Sequence, residues 1–405
     1  MKVQRSEAKI TLGTSFNKIW SAAMFSKFAD GLAGAAIPLL AASLTRDPVL
    51  IAIQANLFLL PWLLFAIPIG ALVDRLNRRT AMLMVQISRV VIGASLAWLI
   101  VSGEMNLIWL ATLTFIFGIS EVVFDTATQS TIPTLLSDGQ LEKGNSRLQI
   151  ADTVMQGFVG VPLGGFIFAT AAFIPFLGLS ACYLVAALLV LSIARDALQP
   201  RVEIKPADRA KLKHEIRDGL QYLWSHKVLL RLVLTTGFIG FCYAMGQATQ
   251  VLFILDHLKV SEANYGWVLV PLGIGALIGA VTTSRFSAKV GRSKALAITL
   301  PASATCLLAG GLSSNVYWYM FTLLLQGLFM AYWNILLMST YHVMIPNEIF
   351  GRIHGARRTI VWGLMPIGGL LGGLLAKIDL TVPLIAGGVL ATAFALSAYR
   401  FIRSI

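Results

Sequence analysis

The sequence predicts an all-α membrane protein, with twelve transmembrane helices in two pseudo-symmetric six-helix bundles. Three observations carry this prediction. Of 405 residues, 57% are hydrophobic and 13% charged, where a soluble domain carries roughly 25% charged residues. The apolar residues fall into twelve blocks, each near the ~20 residues that cross a bilayer. The Lys and Arg residues crowd into alternate gaps between the blocks. Composition of this kind excludes disorder, secreted disulfide frameworks and collagen. Cys182, Cys242 and Cys306 lie inside apolar blocks with no metal-ligand spacing, so they read as small buried hydrophobes.

In chain order the predicted spans are 19–44, 49–73, 80–101, 107–130, 146–169 and 173–194, then 230–255, 263–284, 295–312, 316–343, 356–376 and 381–400. Each break is a charge or a turn residue. The first span is too long, and its basic preface too weak, for a cleaved signal peptide. An even span number places both termini on one side. With the N-terminus, the even-to-odd loops and the C-terminus put in the cytoplasm, those segments and the helix ends bordering them hold 27 basic residues. The opposite loops hold three, Arg46, Lys259 and Lys377, while Lys27 and Arg89 fall inside spans. That asymmetry predicts a multi-pass protein of the cell inner membrane with cytoplasmic termini. It also accounts for the net charge of +13 without a nucleic-acid partner.

Residues 195–229, densely basic and containing Pro200 and Pro206, read as a cytoplasmic linker with an amphipathic piece near Leu212 to Leu223. It divides the chain into an N-terminal bundle, 1–194, and a C-terminal bundle, 230–405. The halves echo each other. Pro162, Gly164 and Gly165 in span 5 recur as Pro366, Gly368 and Gly369 in span 11, and Ile132-Pro133 is matched by Ile345-Pro346. Internal symmetry of this kind is characteristic of secondary transporters, whose site lies between the halves near the bilayer midplane.

Between spans 2 and 3 stand Gly70, Leu72, Asp74, Arg75, Arg78 and Arg79. Their spacing resembles the signature loop of the major facilitator superfamily at every defined position. The resemblance implies that Asp74 docks on span 11, and that Arg75 pairs with an acid near the cytoplasmic end of span 4. Asp125 stands where that acid is expected. The equivalent loop of the second half, around Ser284, Arg285, Gly291 and Arg292, lacks the aspartate. Gly157, Gly160, Pro162, Gly164 and Gly165 in span 5 resemble the antiporter motif of drug exporters, with Val161-Pro162 replacing the usual Gly-Pro pair. Asp30-Gly31, Pro38, Glu121 to Asp125 and Gly351-Arg352 also look like the exporter branch that includes macrolide efflux proteins and the enterobactin exporter. The resemblance implies a monomer.

Ionisable residues inside a bilayer are costly and are usually paired or functional. Asp30 lies roughly 18 Å into span 1 at ~1.5 Å per residue, and Lys27 is one turn away. Glu121 and Asp125 share a face of span 4, and Arg89 lies at the depth of Glu121, so Arg89–Glu121 is a plausible interhelical pair. Two readings stand side by side: a carboxylate here can carry protons between the two sides, or each charge is neutralised by its neighbour and holds helices in register. Asp30, Glu121, Arg89 and Lys27 are the proton-coupling candidates. Asp152 is assigned with Asp74, Arg75 and Asp125 to the gate. In the second half, Tyr243, Gln247 and Gln250 share one face of span 7, and Tyr332, Trp333 and Asn334 lie in mid span 10. They suit either an amphipathic ligand or polar packing between helices.

No phosphate-binding GxxxxGK[ST], HExxH or GxSxG stretch and no His/Cys ligand cluster occurs. The expectation is therefore a non-enzyme without metal or cofactor. The leading reading is a proton-coupled exporter of hydrophobic or amphipathic compounds, drug or siderophore-like, working by alternating access in a lipid bilayer. A lysophospholipid or lipid transporter of the same fold, and a non-transporting membrane sensor, are the alternatives.

Overall fold

The computed structural model describes residues 13–73, 77–136, 151–193, 221–345 and 350–405, together with Gln140, Gly144, Arg147 and Leu148. Among the described residues, six helices form the first half: α1 (Thr14–Leu44), α2 (Pro48–Val73), α3 (Arg78–Val101), α4 (Leu107–Leu135), α5 (Asp152–Gly160 continuing as Val161–Thr170) and α6 (Ile174–Leu191). Six form the second: α7 (Lys227–Gln247, then Gln250–Leu252 and Phe253–His257), α8 (Glu262–Val290), α9 (Arg292–Gly311), α10 (Val316–Met344), α11 (Phe350–Leu375) and α12 (Val382–Arg403). Eleven of them are long and apolar enough to cross a membrane, and α11 contributes the shorter apolar stretch Ile360–Leu375, among the described residues. Helices are the natural answer to lipid, since each satisfies its own backbone polar groups.

Helix ends follow local chemistry more than hydropathy. Side-chain oxygens of Asp47, Asn77, Asn106 and Asn315 accept from free backbone N–H groups at the starts of α2, α3, α4 and α10. The predicted end of span 8 at 284 falls short, because α8 runs on through Arg285 and Lys289 to Gly291, whose φ of 87° turns the chain. A charge at the membrane surface does not stop a helix. The predicted linker is likewise cut short, since α7 begins at Lys227; residues 195–220 of that segment lie outside the described residues.

The two bundles repeat each other in packing. In the first half α1 packs on α5 and α6, α3 on α4 and α6, and α2 on α4. Six helices later the same five pairings recur: α7 on α11 and α12, α9 on α10 and α12, and α8 on α10. The halves meet along two seams, α5 on α8 and α2 on α11, which the same six-helix offset exchanges. Both seams are tight toward the face opposite the termini. A Cβ on Gly165 would stand 3.0 Å from Gly266 N, and one on Gly373 3.1 Å from Pro48 O. On the other seam Asn56 Nδ2 donates to Pro366 O at 3.3 Å, and Trp62 packs against Trp362 with ring centroids 5.2 Å apart. Farther toward the termini on α5, Gly157 faces open space.

Candidate functional site: a charge network inside the first bundle

Four helices bring five ionisable side chains to the middle of the first bundle. Lys27 and Asp30 lie one turn apart on α1, with Nζ 3.3 Å from Oδ2. The same Nζ lies 3.2 Å from Glu121 Oε1 on α4 and 3.3 Å from Asp152 Oδ1 at the start of α5. Arg89 on α3 pairs closely with Glu121 Oε2 and stands 3.6 Å from Asp30 Oδ1. Among the described residues, three carboxylates against two bases leave one formal negative charge in excess.

The packing explains how charge survives here. Arg89 is fully enclosed, its guanidinium 5.0–5.3 Å from the ring centres of Phe117, Phe124 and Tyr183. A guanidinium tolerates such a cage because it is weakly hydrated and attracts aromatic faces. Tyr183 on α6 donates its O–H to Asp30 Oδ1 at 2.5 Å. One helical turn from Arg89 on α3, Gln86 donates to Ser26 at 2.6 Å. Access is graded: the Asp30 side chain is 6% exposed, Glu121 13%, Lys27 20% and Asp152 44%. The network thus runs from a sealed end at Asp30 to an open end at Asp152.

Two glycine approaches hold α5 where Asp152 can reach. Over Asp152–Gly160 the helix is widened to π form, and a Cβ at Gly160 would lie 2.7 Å from the Gly31 Cα. At Gly164 it would lie 2.7 Å from Leu32 O. π-Helical turns gather at functional sites because they re-aim side chains.

Comparison with known proteins bears on this arrangement. A model of the Major Facilitator Superfamily matches residues 19–370, most of the chain. The chain belongs to the major facilitator superfamily. Among its relatives, the MFS-type transporter YceJ of Bacillus subtilis is 28% identical over 250 residues, 60% of this chain and 59% of YceJ. The present chain therefore spans less than two thirds of that relative. Macrolide efflux protein A of Streptococcus pyogenes is 22% identical over 366 residues, 89% of each chain. Among solved structures, a bacterial homologue of the iron transporter ferroportin in an inward-facing state superposes with a TM-score of 0.72 at 15% identity, covering 95% of this chain and 98% of its own. At that identity the likeness concerns the fold.

Of the residues singled out by the superfamily's signature loop, Asp74 and Arg75 lie outside the described residues, and Gly70 falls within α2. Asp125 is half-buried on α4. Arg79 donates to Leu191 O at 2.5 Å, so it caps the C-terminal end of α6. Arg78 is partly buried beside it. Asp152, assigned to the gate from sequence, pairs with Lys27 in the central network. Pro162 packs between α5 and α8, where a Cβ at Gly266 would lie 2.6 Å from its Cα.

In the second bundle, Gln250 donates to Tyr319 Oη at 2.8 Å. Gln247, Gln250, Tyr319, Gln326 and Cys306 line a cavity of about 30 Å³, room for roughly two waters. Tyr243 is buried close by, next to Ser303 and Gln326. Tyr332 is a packing residue, stacked on Phe286 at 4.8 Å with its hydroxyl 2.8 Å from that of Thr282. Trp333 is buried and Asn334 exposed, so the three mid-α10 candidates do not converge. Sequence reasoning missed Tyr183, Phe117 and Phe124. Only Tyr183 left a trace, as a polar interruption of the very apolar α6.

Proposed function

We propose that the protein is a secondary active, proton-coupled exporter of hydrophobic or amphipathic organic compounds, working by alternating access in the cell inner membrane with both termini cytoplasmic. The observation that carries this reading is the buried network with one carboxylate in excess of its bases. A single proton makes it neutral, and a proton enters most readily at Asp152, the most exposed member. Asp30, Glu121, Arg89 and Lys27 then pass the change of charge to α1, α3 and α4, three of the helices that form the first bundle. The likeness to a macrolide efflux protein over 89% of both chains supports an amphipathic organic cargo and outward direction. The 27 to 3 distribution of basic residues supports the orientation.

Close glycine approaches on both seams, Gly165 to Gly266 and Gly373 to Pro48, suit rocking of one bundle on the other, since close backbone contacts can part without dragging long side chains. Asp74, Arg75 and Asp125 would then lock the cytoplasmic side in the alternate state. Proteoliposomes with an imposed pH gradient and a labelled macrolide test the reading. Gradient-driven accumulation is expected in the parent protein. Asp30→Asn should abolish it and leave macrolide exchange at equal pH intact. Undiminished gradient-driven transport by Asp30→Asn would sink the coupling assignment.

A further inference from the structure

Two ion pairs cross between the bundles at the face opposite the termini. Both start from the three-residue turn, Thr45 to Asp47, between α1 and α2. Arg46 Nη1 lies 3.2 Å from Asp256 Oδ1 and 3.3 Å from Oδ2, at the end of α7. Its neighbour Asp47 has Oδ2 3.6 Å from Lys377 Nζ, in the α11–α12 turn. The other oxygen of Asp47 accepts from Val49 N at 2.8 Å, so the side chain is fixed at the start of α2. The pairs have opposite polarity, so a slip of one turn against the others sets like charges together.

The location strengthens the argument. This face is poor in bases, with Arg46, Lys259 and Lys377 in its loops, and two of those three are spent on contacts between bundles. The segment bearing Asp256 is also jointed to the rest of its helix. The α-helical run of α7 stops at Gln247, Thr249 takes φ −115° and ψ 13°, and the helix resumes as Gln250–Leu252 and the π turn Phe253–His257. The cavity lined by Gly246, Gln247 and Gln250 adjoins this joint. The far end is pinned by His257, stacked on Phe253 at 4.9 Å and 3.2 Å from Ser313 O.

We propose that Arg46–Asp256 and Asp47–Lys377 form an ionic clasp that holds this face shut, and that its release lets the outer piece of α7 swing about Ala248–Thr249. The clasp rests on the alternating-access reading above, in which this face is external and must open for cargo to leave. All four side chains are 40–54% exposed, so the clasp is weak and salt-sensitive. One such pair shifts an opening equilibrium by about two- to fivefold. A closed state held by weak pairs plus backbone packing can be opened on each cycle.

Hydrogen exchange on the full-length protein in proteoliposomes tests this, with the amides of 45–49 and 249–257 as the readout and those of α9 as a folding control. Arg46→Asp and Asp256→Arg should each speed exchange at the first two segments by at least twofold, with α9 unchanged. The double swap should restore parental exchange. In the parent protein, raising KCl from about 0.05 to about 1 M shortens the Debye length from above 10 Å to about 3 Å and should act like the single variants. Indifference to salt, or failure of the swap to restore protection, overturns the clasp. If exchange responds as expected but no pH gradient drives macrolide movement, the clasp stands and the exporter reading fails.

Discussion

Removing Arg89 should damage the protein far more than removing its partner Glu121. Arg89 is fully enclosed, and it faces Glu121 and Asp30 within a cage of three rings. Arg89→Gln leaves three carboxylates to Lys27 alone, so the excess negative charge rises from one to two. Truncating one member of a buried pair costs about 3–5 kcal/mol, and lost ring contacts add about 0.5–1 kcal/mol. Glu121→Gln has the opposite effect on balance, because two carboxylates and two bases remain. Its cost is that of one charge-assisted hydrogen bond, about 1.5–3 kcal/mol. The double variant should fall near Glu121→Gln, so the coupling should approach the cost of Arg89→Gln itself, about 3–5 kcal/mol. Unfolding in mixed micelles with rising detergent denaturant, followed by far-ultraviolet circular dichroism, measures all three. Equal losses in the two single variants, or a double variant no better than Arg89→Gln, would refute the charge-balance reasoning.

The seam between α5 and α8 offers a steric test. A Cβ at Gly266 would press on Val161 O and lie 2.6 Å from Pro162 Cα. These are backbone atoms that cannot turn aside, so Gly266→Val should cost about 1–3 kcal/mol and bias the protein against closure at this face. Faster amide exchange at the start of α8 with slower transport is the expected pair of results; unchanged exchange there would speak against a closed seam. The clasp also makes a pH prediction. The Val49 N–H, chiefly, with the Leu50 N–H and Lys377, holds the Asp47 carboxyl below its ordinary 3.8. A depressed carboxylate contributes stability that is present above its unfolded value and is lost as pH falls through the folded one. Closure should therefore be flat between about pH 8 and about pH 5 and loosen only below about pH 4. Exchange at 45–49 that changes between pH 8 and 5 would show that another group governs the turn.

What the sequence determined by itself is one-dimensional. Twelve blocks long enough to span a bilayer, the alternating basic gaps and the Pro162/Pro366 echo needed no coordinates, because hydropathy, charge and repeats are properties of neighbours along the chain. Lys27–Asp30 was legible for the same reason, one turn apart on one helix, and Arg89–Glu121 from equal depth in adjacent spans. Tertiary structure decided the rest. Asp152 joins Lys27 across 125 positions because α5 widens into π form and closes on α1 through Gly160 and Gly31. No spacing rule anticipates a helix that changes its pitch. Tyr183 reaches Asp30 from 153 positions away, and nothing in either span names the other as its partner. Arg46 and Asp47 share one short turn, and only the packing brings Asp256 at the end of α7 and Lys377 in the α11–α12 turn to it. The sequence placed charge inside the spans and in the short loops between them; only packing of one bundle against itself and its twin decided which charges meet.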